Sequence, residues 1–304
     1  MKIRSANWFL SVGFVAALLA AGCTLRDEKT IGTPANPLVV VLSPAHVPSM
    51  DSGAADFIKK HLEAATAMSV EIRAAISPSD TIKKFDSGLT DAGLVTLEEY
   101  LVAREEYRVR AALQVLRGSK LGDYEGVLLT RTPGGAGSVA ELSGRKVGFV
   151  GPYSLSGFTL PSIYLKNAGV EVEKEFSATH EGNLQKLLKG EVAAVATYAR
   201  QASRAPGLKI LAVTGKVPNE PLIVRRNLEA ATRDRLIAGF LTLGDTKEGR
   251  RALAAVADIT GFRAADEKVY QPVHELLLGE GKTVYDLVPD GWYIYRLNQP
   301  YYPD

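Results

Sequence analysis

The sequence predicts an α/β protein of two lobes, each an open sheet covered by helices, with a hinge and a cleft between them. Three observations lead there. From Pro37 onward short apolar runs alternate with helical patterns; the pattern breaks at Thr132–Ser138 and starts afresh at Lys146; and the chain turns mainly helical after Pro218 and Pro221. Open parallel sheets take ligands at the carboxyl ends of their strands, so a cleft of this kind is a place for a small ligand.

Ahead of that body, Lys2 and Arg4 precede an apolar run, Trp8 to Leu19, that closes on Ala20-Ala21-Gly22 and Cys23, the single cysteine of the chain. The run is too short to span a bilayer and ends in a stretch rich in charge, Pro and Gly. Residues 1–23 are therefore read as a signal peptide that resembles the lipoprotein type, although Ala20 stands where its lipobox more often has Leu. Lipid is expected on Cys23, and residues 24–36 are expected to be a linker. This places the body in a bacterial envelope, periplasmic or otherwise extracytoplasmic, with the lipid as its membrane contact. The chain has 36 Lys+Arg and 34 Asp+Glu, and two of the cations lie in the leader, so the mature part is neutral. Such a balance, without a basic block, argues against a nucleic-acid partner. With Cys23 acylated there is no disulfide, thiol nucleophile or thiolate metal site.

Leu38-Val39-Val40-Val41-Leu42 is the run that a strand buried on both faces requires. Phe57, Ile58, His61, Leu62 and Ala65 recur at helical spacing, and Val70 to Ile76 alternates as a half-buried strand does. Ser79 is expected to cap a helix carrying Ile82 and Phe85, with Gly88 ending it. Short strands follow at Ala92–Val95, Val109–Leu116 and Gly126–Thr130. After the break, Ser138 and Glu141 form a capping box. The second unit holds a strand at Lys146–Val150, a helix from Ser156, a helix with Leu184, Leu187 and Leu188, and strands at Val192–Ala196 and Lys209–Val213. Helices at Leu236–Leu243, Arg250–Ala257 and Val269–Leu277 complete the chain. The expected lobes are 37–130 plus 215–304 and 131–214, with a hinge near Thr130 and Thr214.

Lys146–Val150 runs into Gly151-Pro-Tyr-Ser154-Leu155-Ser156-Gly157-Phe158 and then a helix. A strand, a turn of small hydroxyl residues and a helix start present free backbone N–H groups at a positive dipole end. Ser154 and Ser156 add hydroxyls, and Gly157 allows close approach, so the turn suits a tetrahedral oxyanion. A Ser before a helix is also an ordinary N-cap.

The segment Lys146–Pro161 resembles the signature of the phosphate, phosphite and phosphonate binding proteins of ABC transporters. Gly88 to Tyr100, Glu125 to Thr130, Ser138 to Lys146, Thr179-His180-Glu181, Lys189 to Tyr198 and Pro218-Asn-Glu-Pro221 agree in order and spacing. The resemblance covers roughly Leu38 to Leu277. It implies a two-lobed fold of the type II periplasmic-binding-protein kind, and a monomeric binding component, not an enzyme, that serves a permease. It also implies that Ser154, Leu155, Ser156 and Gly157 hold the anion, with His180 and Tyr100 completing the cage. The departures are Leu155 in place of a central Thr, Ser77-Pro78-Ser79 where a tyrosine often stands, and Ala199-Arg200 where many members have an acidic pair. Arg200 could grip a dianion as a bidentate fork or lie solvated on the surface. His46 follows the first strand, where the first lobe would face the cleft. His61 and His274 read as ordinary packing. No H-E-x-x-H, G-x-S-x-G or Walker pattern appears, so no metal or cofactor is expected. The other reading is a binding module of the same fold turned to an organic ligand or to sensing.

Overall fold

The computed structural model describes residues 26–46, 52–86 and 88–297. The expected signal peptide and Cys23 lie outside them. Strands β1 (Leu38–Leu42), β2 (Val70–Ala74), β3 (Ala92–Leu94) and β4 (Arg110–Arg117) come first, then β5 (Asp123–Arg131), β6 (Lys146–Phe149), β7 (Glu173–Phe176), β8 (Ala194–Tyr198) and β9 (Leu208–Pro218), and finally β10 (Pro221–Val224) and β11 (Ile259–Ala264). They make a six-stranded sheet, β11-β4-β10-β3-β1-β2, and a five-stranded one, β7-β6-β8-β5-β9. The helices are α1 (Ser52–Thr66), α2 (Pro78–Lys83), α3 (Leu97–Tyr107), α4 (Leu160–Asn167), α5 (His180–Lys189), α6 (Ala230–Thr242), α7 (Lys247–Ala257), α8 (Gln271–Gly279) and α9 (Gly291–Leu297).

The apolar run of β1 is buried throughout because helices cover both faces of its sheet. Leu38, Val40 and Leu42 share a core with Ile58 and Leu62 of α1, Leu236 and Phe240 of α6 and Leu253 of α7. Val41, one step out of register with them, points to the opposite core of Ile82, Leu97, Leu101, Tyr270 and Leu277. In the second sheet, α4 contributes Leu165 to the core of Val147 and Phe149, and α5 contributes Leu184 and Leu187 to that of Val127 and Leu129.

The structure differs from the sequence expectations in identifiable places. Strand β5 pairs with β9 from Asp123↔Pro218 to Arg131↔Leu208, so both belong wholly to the second sheet. The chain therefore crosses between sheets at 118–122 and 219–220, not near Thr130 and Thr214. The two crossings are tied together. Arg117 and Leu121 exchange backbone hydrogen bonds of 3.0 and 2.9 Å. Asn219 Nδ2 donates to the Val115 carbonyl at 3.0 Å and to that of Leu121 at 2.9 Å. Ser77, not Ser79, caps α2, because Pro78 takes the first helical position; the Ser79 hydroxyl donates instead to the Pro289 carbonyl at 2.8 Å. The Ser138–Glu141 pair starts only a short helical turn, Ala140–Leu142.

The expected linker is fastened to the body from Arg26 to Asn36. Arg26 donates to Asn36 Oδ1 and to Asp91 Oδ2, each at 2.9 Å. Asp91 is fully buried and also accepts from the Val39 N–H at 2.8 Å and from Arg225 Nε at 2.9 Å. One carboxylate thus joins the N-terminal arm, β1 and the end of β10.

Candidate functional site

Strand β6 is held in the middle of the second sheet by β7 and β8, and it delivers the chain to the turn at Gly151–Thr159. Ser154 Oγ accepts from the Gly157 N–H at 3.1 Å, and the Ser154 carbonyl accepts from Phe158 and Thr159 at 2.9 and 3.0 Å. The last of these widens the first turn, Leu155–Thr159, into a π-type turn before α4 begins. Ser154 is thus an N-cap. A Cβ on Gly157 would lie 2.7 Å from Val150 Cβ and 2.8 Å from Ser154 Oγ, so the turn can close only on a glycine.

The sequence-predicted residues are placed as follows. Ser156 is buried, and its side chain lies beside the Tyr124 phenol on β5. Leu155 is 1% exposed and belongs to the apolar cluster of Val95, Leu97 and Tyr100, all from the first lobe. Leu155 thus makes an apolar contact between elements of the two lobes, worth about 1.5–3 kcal/mol when fully buried. Tyr100 is itself fully buried, edge-on to Tyr270 at 5.0 Å, with no hydrogen-bond partner for its hydroxyl among the described residues. His180 begins α5, its Nδ1 lies 2.8 Å from Thr197 Oγ1, and its ring stands edge-on to Tyr198 at 4.9 Å. Burial pushes this imidazole down to about 4, so it serves as a neutral hydrogen-bonding group. Tyr198 meets Tyr124 edge-on at 6.1 Å, so His180, Tyr198 and Tyr124 form a row leading to Ser156. Arg200 is not gathered with these groups: it pairs with Asp258, the residue that ends α7 in the first lobe.

Three further residues stand near these groups: Glu98 and Glu220, to which the sequence reading gave no role, and His46, which it placed after the first strand. Glu98, at the start of α3 in the first lobe, accepts from the Leu155 N–H with Oε1 at 3.3 Å. Burial pushes its carboxyl up, and hydrogen bonds from its own N–H, from Leu155 and from Thr96 offset part of this. Glu220, at the second crossing, is bound by both guanidinium nitrogens of Arg117. Burial raises the Glu220 carboxyl, and Arg117 more than reverses this, so it stays ionised. His46 Nε2 lies 4.0 Å from Glu220 Oε1 without a hydrogen-bond partner, and burial holds this imidazole below its ordinary range. Further contacts bridge the lobes at the rim. Lys166 Nζ lies 2.8 Å from Glu280, and Lys282 Nζ stands 5.7 Å from the Phe158 ring. These contacts join elements that cover different sheets.

Beside Glu98, Glu99 is buried, with the Ser43 hydroxyl donating to it at 3.0 Å and the Thr96 N–H at 2.7 Å. Burial pushes its carboxyl up to about 7. The folded protein keeps this proton where the unfolded chain has released it, so the contribution to stability is full below the unfolded pKa and is lost as pH rises through 7. Between pH 5 and 8 the loss should approach about 3 kcal/mol. Urea unfolding should show it, and Glu99→Gln should flatten the slope; a slope unchanged in the variant would rule out Glu99 as its source.

The profile of a family described as the periplasmic substrate-binding protein of phosphonate ABC transporters matches residues 47–270. The phosphonates-binding periplasmic protein of Escherichia coli is 26% identical over 139 residues, 42% of this chain and 41% of that one, so the match spans less than half of either. Among solved structures, XAC2383 from Xanthomonas citri bound to ATP superposes with a TM-score of 0.65 at 19% identity, over 86% of this chain and 100% of its own. A binding protein component of an ABC phosphonate transporter from Pseudomonas aeruginosa gives 0.62 at 19% identity, over 80% of this chain and 86% of its own. PhnD1 from Prochlorococcus marinus in complex with methylphosphonate gives 0.60 at 16% identity, over 84% and 100%. These likenesses establish the type II periplasmic-binding fold, and with the profile match over most of its length the chain belongs to the family of periplasmic substrate-binding proteins of phosphonate ABC transporters.

Proposed function

We propose that this protein is the solute-binding component of an ABC importer, held to the membrane by lipid on Cys23, and that it captures a phosphonate-, phosphite- or phosphate-like oxyanion by closing its two lobes and delivers it to a permease as a monomer. The lobes would hinge at the crossings 118–122 and 219–220. The observation that carries this reading is that the Leu155 N–H, in the turn after β6, donates to a carboxyl oxygen of Glu98. A backbone donor that a carboxyl oxygen can answer is one that a ligand oxyanion can answer as well. Ser156 would supply a hydroxyl, and neutral His180 and the Tyr100 hydroxyl would supply further hydrogen bonds.

The test is the melting temperature of the protein lacking residues 1–23 against phosphate, phosphite, methylphosphonate, aminoethylphosphonate, sulfate and taurine, since a ligand of the folded state raises it. A rise with one phosphorus oxyanion is expected. Ser156→Ala should weaken that ligand by about 1.5–3 kcal/mol, the value of a hydrogen bond to a charged group. Unchanged affinity in the variant would remove Ser156 from the site. No rise with any of the six would transfer the protein to the other reading, a module turned to an organic ligand or to sensing, for which Leu155 and Ala199 would be the altered positions.

A further inference from the structure

Glu98 sits on the group that the oxyanion reading gives to the ligand. Its carboxylate comes from the first lobe, on the opposite side of the cleft, and accepts the Leu155 N–H of the second. The contact is made between the lobes, with Leu155 buried among first-lobe side chains and with the Arg200–Asp258 and Lys166–Glu280 pairs formed beside it. Closure of two lobes around a ligand needs something to answer the N–H groups that closure removes from water, because an unanswered buried donor costs about 1–3 kcal/mol. Here a side chain of the protein supplies that answer.

We infer that Glu98 is the residue that sets ligand selection at this turn, acting as an internal stand-in for the ligand's anionic group that an incoming oxyanion must displace. The inference rests on the oxyanion reading above for its ligand. Two consequences follow from the geometry. An oxyanion gains the Leu155 N–H only by breaking the Glu98 contact, so its net gain is the difference between two hydrogen bonds and not the whole of one. The displaced carboxyl also stays near the new anion, since α3 holds its backbone, and in its ionised form it opposes that anion. Glu220 adds negative charge to the same region, but its charge is answered by Arg117, whereas the Glu98 carboxyl meets only hydrogen-bond donors. A ligand that wins must therefore bring more contacts than a carboxylate does, which favours a tetrahedral oxyanion over a planar one.

The experiment uses the protein lacking residues 1–23, its Glu98→Gln and Glu98→Ala variants, and methylphosphonate as the probe. Calorimetry reads the affinity, and amide hydrogen exchange reads protection of the Leu155 N–H without ligand. Methylphosphonate should bind Glu98→Gln at least tenfold more tightly than the unaltered protein, and the Leu155 amide should exchange faster in Glu98→Ala. Equal or weaker binding in Glu98→Gln would overturn the inference while leaving the oxyanion reading intact, because Glu98 would then be neutral to the ligand or one of its partners. Should methylphosphonate bind none of the three proteins, the oxyanion reading loses its probe ligand and the exchange measurement decides the role of Glu98. Faster exchange in Glu98→Ala would then sustain the stand-in, and unchanged exchange would overturn it.

Discussion

Asp91→Ala is expected to destabilise the protein by about 3–5 kcal/mol, the range for breaking a buried ion pair by removing one partner. The carboxylate is fully buried and answers Arg225 Nε, Arg26 and the Val39 N–H. Alanine would leave the Arg225 side chain, itself 8% exposed, with only Glu28 on its other side. It would also leave a buried backbone N–H at the start of β1 without an acceptor. Urea unfolding of Asp91→Ala and Asp91→Asn separates these terms, because asparagine keeps an acceptor for Val39 and loses the charge. A cost below about 1 kcal/mol for Asp91→Ala would show that water replaces the carboxylate and that the network adds little.

Glu220→Ala should cost a similar amount, about 3–5 kcal/mol, for the same physical reason at a different place. Arg117 donates to both Glu220 oxygens and, through Nε, to the Ala257 carbonyl at 2.9 Å, so the pair ties the second crossing to the first sheet. Removing the carboxylate leaves the guanidinium facing His46, whose imidazole is already held neutral by burial. The double variant with Arg117→Ala is the control. It should be less destabilised than the sum of the two single changes, since the second change removes the charge that the first stranded. Strict additivity would mean that the pair is not coupled.

Much of the architecture is legible in the sequence because it rests on local rules. The run Leu38–Leu42 can only be a strand covered on both faces, and the hydroxyl-rich turn after Lys146–Val150 declares itself by small residues ahead of a helix. Where the reading failed, the pattern was weak or the cause lay elsewhere in the chain. Strand β7 is an exposed edge of Glu173, Lys174, Glu175 and Phe176, whose pairing comes from β6 and leaves no apolar signature. Strand β10 is only four residues opening on a proline. In the site, Leu155 reads from sequence as a lost hydroxyl, and only the meeting of the lobes shows it as an apolar contact. Glu98 acquires its role from a residue 57 positions away, and Arg200 is claimed by Asp258, 58 positions away. No spacing rule reaches that far. The motif Pro218-Asn-Glu-Pro221 agrees with the resemblance in order and spacing, but neither Asn219 nor Glu220 takes a role from sequence alone; their place at a crossing between sheets shows it.

With lipid on Cys23, as proposed above, the fastening of Arg26 to Asp91 would also limit how far the protein can stand from a membrane. Only Thr24 and Leu25 would then separate the lipid-bearing residue from a side chain clamped to the body. Three residue steps of extended chain reach roughly 10 Å. The clamp lies at the end of the first sheet where β1 begins, and the cleft lies past the end where it finishes. The molecule would thus ride close to the bilayer with its mouth turned outward, sweeping a thin layer in two dimensions, and its encounters with a permease would depend on lateral diffusion and tilting rather than on the reach of a flexible leash.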